Sequence, residues 1–195
     1  TFSPAGILNN SGTIETAGCI DTAQFQQNAG SVTTPGLYIG SNSENKDNPL
    51  VMSGGKLVVD NLYIFGDKNG PRLSGNSELI INSDYEYDDF TGIDLYISDN
   101  AMMQISLSDS SLALRKFKMT GGVLKVPLLQ IWGDFQQTGG EIYVCQPGNA
   151  FQSVLIEGDG ELSISGGFIK ASGYICDYTD RDHAFCYSKS SDGNY

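Results

Sequence analysis

The stretch FKMTGGVLKVPLLQIWG, Phe117–Gly133, decides how this chain is read. It contains an apolar lead-in, a glycine doublet, a short alternating strand and a second apolar strand. LVMSGGKLVVDNLYIFG, Leu50–Gly66, repeats the same plan over the same length. Glycine at the doublet admits the positive φ that a tight corner needs. Each copy therefore reads as three short strands joined by tight corners.

The pieces recur along the chain. The corner and its strand return as AGSV (Ala29–Val32), SGNSELII (Ser74–Ile81), TGGEIYV (Thr138–Val144) and GDGELSI (Gly158–Ile164), with a looser copy at Asp99–Ile105. The phrase L-Y-I appears at Gly36–Gly40, Asn61–Gly66 and Asp94–Ser98, with degraded copies at Leu128–Gly133 and Ser153–Gly158. FQQNAG (Phe25–Gly30) and FQQTGG (Phe135–Gly140) are nearly identical, although their positions are 110 residues apart. Repeats of this period indicate a stacked architecture.

Strands of four or five residues cannot bury an apolar face alone. Stacking coil on coil gives each strand a partner above and below, at about 4.8 Å per coil. Side-chain alternation in KLVVDNLYIFG then turns Leu57, Val59, Leu62 and Ile64 inward, and Lys56, Asp60 and Tyr63 outward. Vertical files of Leu37, Leu62, Leu95 and Leu129, beside Ile39, Ile64, Ile97 and Ile131, are expected to fill the interior. SLALRKF (Ser111–Phe117) is read as strand. The expected fold is all-β: a single-stranded right-handed parallel β-helix (β-solenoid) with irregular terminal caps. One domain spans 1–195, with an N-terminal cap over 1–22, coils over 23–174 and a capping tail over 175–195. An antiparallel β-sandwich is the rival fold.

The Q-x-G-G phrase, the L-x-I strand and the S-G-G turn resemble the passenger-type β-helix repeats of bacterial secreted surface proteins and autotransporters. The resemblance covers roughly Ala23–Ala171. It implies an adhesive, matrix or filament role and assigns no ligand. It also implies that the chain is the exported part, since no barrel segment is present.

Charge narrows the choices. The net charge is −12, with only 11 Lys and Arg among 195 residues. Nucleic-acid binding needs a basic face, so no nucleic-acid partner is expected. No stretch approaches the roughly 18 apolar residues of a membrane span. The chain starts at Thr1, consistent with a removed leader. Cys19, Cys145, Cys176 and Cys186 form no C-x-x-C pair and read as disulfides of an extracellular or cell-surface protein. Pairing is open, with Cys176–Cys186 favoured because the two flank one polar loop.

Candidate chemistry is sparse. Asp84, Glu86 and Asp88 alternate in SDYEYDD and offer oxygen ligands for Ca²⁺, without EF-hand spacing. The adjacent Asp88 and Asp89 read as part of a solvated loop. His183, beside Asp180, Arg181 and Asp182, reads as a surface residue of the capping tail, since no nucleophile motif accompanies it. No catalytic residues and no cofactor are assigned. The distinctive feature is an expected outward aromatic face of Tyr38, Tyr63, Phe65, Tyr96 and Trp132. Exposed rings of this kind suit sugars or protein partners. The expected role is a secreted structural or adhesive module, self-associating or binding a surface glycan or protein. The alternatives are a polysaccharide lyase or hydrolase, and a phage or virion fibre protein.

Overall fold

The computed structural model describes residues 7–40, 50–65, 69–83, 85–87, 93–106, 111–145, 152–157, 161–177 and 185–187. No helix occurs among them. The strands are β1 (Ile7–Asn10), β2 (Thr13–Glu15), β3 (Ile20–Thr22), β4 (Gln24–Gln27), β5 (Ser31–Ile39), β6 (Leu50–Ile64), β7 (Asn69–Ile81), β8 (Tyr85–Tyr87) and β9 (Ile93–Ile97). They continue as β10 (Met102–Ile105), β11 (Ser111–Met119), β12 (Val123–Val126), β13 (Leu128–Val144), β14 (Gln152–Ile156), β15 (Leu162–Ala171), β16 (Tyr174–Asp177) and β17 (Phe185–Tyr187).

Every described pairing is parallel except β16 with β17. The chain winds through three faces per coil, so the fold is a β-solenoid. The second face shows the register without interruption. Ile14 pairs with Val32, Val32 with Leu57, Leu57 with Leu79, Leu79 with Met103, Met103 with Leu124, Leu124 with Ile142, and Ile142 with Ile169. From Val32 to Ile142 every member is fully buried. Each such side chain is worth roughly 1.5–3 kcal/mol of burial as an upper estimate. Parallel strands leave no short hairpin route between neighbours, so the intervening faces serve as the connections.

The corner between the first and second faces explains the glycine doublets. Gly30, Gly55, Gly122, Gly140 and Gly167 all have φ between 70° and 80°. The two long strands β6 and β13 run through this corner at Gly55 and Gly140, with a register shift against the neighbouring rung at the bend. At the equivalent corner preceding β10, Asp99 takes φ 58°. Its carboxylate accepts a hydrogen bond of 2.9 Å from the Gly75 amide at the corner below. Asp is among the few residues that adopt this conformation at low cost.

The repeated FQQ phrase braces the same corner. Gln27 and Gln137 point inward and are fully buried. The Gln137 amide donates to the carbonyls of Gly140 (3.2 Å) and Phe168 (3.3 Å). Gln27 donates likewise to Ala29, Gly30 and Lys56. Their Oε1 atoms have no hydrogen-bond partner.

Four expectations are corrected. Leu37 and Ile39 stack on Leu62 and Ile64 as foreseen, and Leu129 and Ile131 share that third face. Leu95 and Ile97 do not. They pair with Phe117 and Met119 on the first face, because IDLYISDN leads into the Asp99 corner and so occupies the place of LVMSGG. GDGELSI shifts the same way: Leu162 pairs with Phe135 on the first face. The expected N-terminal cap is absent over 7–22, where β1, β2 and β3 pair with β4 and β5 as regular coil. At the other end β16 still continues the coils, and β17 folds back against it.

The cysteines supply the fourth. Cys19 and Cys145 are free thiols. Cys19 lies beside β3 in the first coil, and Cys145 follows β13 several rungs away. At about 4.8 Å per rung that separation far exceeds the roughly 7 Å limit between bridged Cα atoms. Cys176 is buried and disulfide-bonded, and its backbone lies directly opposite Cys186 in the antiparallel pair.

Candidate binding face

The expected aromatic face is divided by the fold. Tyr38 and Tyr63 stack ring on ring at 4.6 Å with planes 2° apart. Phe65 joins them at 6.5 Å from Tyr38. These rings are committed largely to one another. Tyr96 lies on the first face, where the Arg72 guanidinium sits over its ring at 4.5 Å. Trp132 is exposed at the end of the third-face segment 128–131, several rungs beyond Phe65. No shared platform results. Asp84 and Asp88 of the expected calcium site lie outside the described residues, as do Asp89 and His183. Only the backbone of Glu86 is described. No group of three or more His, Cys, Asp or Glu among the described residues is placed to hold a metal ion.

A different assembly appears on the outer side of the second face. Strand register puts Gln104, Lys125, Tyr143 and Lys170 in one outward column. Met102, Val123, Glu141 and Phe168 form the column beside it. The alternation of VLKV, EIYV and FIKA fixes this, since each inward Leu124, Ile142 or Ile169 turns its neighbours out. An open groove of about 620 Å³ runs here, floored by Met102 and Val123 and bordered by Lys125, Glu141, Tyr143 and Cys145.

Tyr143 is the centre of the arrangement. Its hydroxyl donates to Glu141 Oε2 at 2.8 Å. Its ring meets Phe168 edge to face, with centroids 5.6 Å apart and planes at 87°. The hydrogen bond to Glu141 is the main cause that raises the Tyr143 pKa above 10.0, with burial and the Glu141 charge adding to it. Tyr143 therefore stays a protonated donor throughout the neutral range.

Lys125 and Lys170 flank this tyrosine on the rungs below and above. Neither makes an ion pair among the described residues, whereas Lys56 pairs with Glu78 at 3.1 Å and Arg115 with Asp94 at 2.6 Å. Two unneutralised ammonium groups beside an aromatic ring are unusual in a chain of charge −12. This arrangement can offer a ring face, two cations and a carboxylate acceptor to a ligand lying along the stacking direction.

The sequence reading missed Lys125, Glu141, Tyr143, Phe168 and Lys170. A signal was available. TGGVLKV, TGGEIYV and SGGFIKA (Ser165–Ala171) align on their glycine doublets and bring these residues into two columns. Taking GDGELSI as the corner copy concealed SGGFIKA.

No protein-family model, curated protein or solved structure matches the chain.

Proposed function

We propose that this chain is a secreted structural and adhesive surface module, of the kind its resemblance to passenger-type β-helix repeats implies. The observation that carries the reading is the register itself. A stacked parallel sheet holds outward side chains in columns at fixed spacing, so an extended partner meets a preorganised row with little ordering cost. The columns through Lys125 and Glu141 provide such a row of charged, aromatic and apolar groups.

Two further features support the reading. We take the partner of Cys176 to be Cys186, directly across the antiparallel pair, and such a bridge suits an oxidising extracellular setting. The last first-face rung is the location for self-association. Leu162 and Ile164 continue the inward files of Phe135 and Gln137, yet they are 44 % and 48 % exposed, and no strand stacks on them among the described residues. Uncovered strand edges with apolar neighbours favour further pairing.

Adhesion of protein-coated beads to cell-wall, polysaccharide and protein surfaces, with sedimentation velocity on the same preparation, tests the reading. Saturable retention on one surface class, or a concentration-dependent series of larger species, is expected. A strict monomer that is retained on no surface overturns it.

A further inference from the structure

We infer that the Lys125–Tyr143–Lys170 column binds a carboxylated linear polysaccharide, laid along the solenoid with one pyranose ring against Tyr143. The inference rests on the surface-module reading and adds the ligand class and the residues that recognise it.

The argument begins with the ring. The Tyr96 ring has a guanidinium over it, and the Tyr38 and Tyr63 rings stack on each other. Tyr143 instead meets Phe168 only edge to face. That contact keeps its ring plane steady. A sugar presents axial C–H groups that fit such an aromatic face, and its hydroxyls need acceptors. Glu141, held at 2.8 Å from the Tyr143 hydroxyl, is an acceptor already fixed in place.

The charges select among sugars. Lys125 and Lys170 lie two rungs apart, about 10 Å along the stack. That span is comparable with a disaccharide, so two carboxylates of one chain reach both ammonium groups while the ring between them covers Tyr143. Elsewhere the molecule repels polyanions, having 23 Asp and Glu against 11 Lys and Arg. Glu141 is acidic within this face, and Glu78, three rungs below it in the same column, is paired with Lys56. Attachment of a polyanion is therefore confined to a local cationic site, and removing two charges removes most of it. A flexible polyanion without rings leaves Tyr143 uncovered. A neutral glucan leaves both ammonium groups without counterparts.

The test is calorimetric titration of the full chain with polygalacturonate oligomers. Dextran, polyglutamate and a single-stranded DNA oligomer serve as controls. Polygalacturonate is expected to bind at least tenfold more tightly than any control, with affinity falling as salt rises. The double variant Lys125→Gln/Lys170→Gln and the variant Tyr143→Ala should each weaken it at least tenfold. Tyr143→Phe, which keeps the ring, should bind within about threefold of wild type. Circular dichroism of each variant confirms that the coils persist; if Tyr143→Ala fails to fold, the lysine pair decides. No polygalacturonate binding, equal binding by polyglutamate or DNA, or full binding by the lysine double variant overturns the assignment. If beads coated with wild type still adhere while polygalacturonate fails, only the ligand assignment falls. If adhesion and self-association are both absent, the broader reading falls with it.

Discussion

Tyr38 lies flat on Tyr63, with ring centroids 4.6 Å apart, because their backbones are register partners on adjacent rungs of the third face. The contact belongs to the stacking direction, which is the direction in which this fold gains its stability. Removing either ring should expose the other. A double-mutant cycle with Tyr38→Ala and Tyr63→Ala, read by urea unfolding, should give a coupling of about 0.5–1.5 kcal/mol. Strict additivity would mean that the two rings do not stack in solution.

The corner glycines should tolerate no side chain. Gly140 has φ 80°, and a Cβ placed there would lie 2.7 Å from the Gly121 carbonyl oxygen on the rung below. Gly140→Val should lower stability by about 1–3 kcal/mol from backbone strain alone, with the collision adding to it. Gly12→Ala is the control, since its Cβ meets nothing nearer than Asn10 Oδ1 at 3.9 Å. Thermal unfolding of both variants should separate them clearly. Equal melting temperatures would contradict the corner geometry.

Gln137 offers a pH-dependent test. Its amide donates to two carbonyls inside a buried corner. In Gln137→Glu, burial and the facing carbonyls disfavour the charged carboxylate and raise its folded pKa above the unfolded value of about 4.3. Stability is therefore retained below the unfolded pKa and lost as pH rises through the folded one. The variant's deficit against wild type should grow between pH 4 and 7. Gln137→Met, which copies Met119 on the neighbouring rung, should cost about 1 kcal/mol at every pH. A pH-independent deficit in the Glu variant would place Gln137 in solvent.

Tyr143 should titrate late. Its pKa is raised mainly by the hydrogen bond to Glu141, so Glu141→Gln should lower it toward the ordinary value. A raised folded pKa contributes stability that is complete below about pH 10, the unfolded value, and is lost as pH climbs through the folded one. Selective ¹³C-tyrosine NMR follows this group directly. A Tyr143 titration unaffected by Glu141→Gln would remove the bond from solution.

The thiols should separate by exposure. Cys145 is exposed and Cys19 is partly buried. Ellman's reagent should label Cys145 first and Cys19 more slowly, and denaturation without reductant should reveal no third thiol. Release of four thiols under those conditions would rule out a bridge at Cys176.

Much of the fold was legible because stacking writes its period into the sequence. Phe117–Gly133 and Leu50–Gly66 align residue for residue, and their alternation marks Leu57, Val59, Leu62 and Ile64 as interior, where they are buried. What failed was phase. Leu-Tyr-Ile forms an equally good buried strand on the first face or the third, so the phrase at 94–98 could not declare its face by composition. The following Asp99 corner does declare it, through its positive φ. The same ambiguity scattered the supposed aromatic face. The Tyr143 column was hidden for a related reason: a lysine or tyrosine in an alternating strand reads as ordinary surface until the rungs are in register.

Spin labels along one outward column test the account most directly, because the binding face exists only if the rungs stack in this order. With one label at Glu15 and the second at Lys125, Tyr143 or Lys170 in turn, pulsed electron–electron resonance should give distances near 24, 29 and 34 Å, about 4.8 Å per added rung. Successive values that fail to rise by one rung, or that shorten from Lys125 to Lys170, would contradict the stacked register and the ligand face built on it.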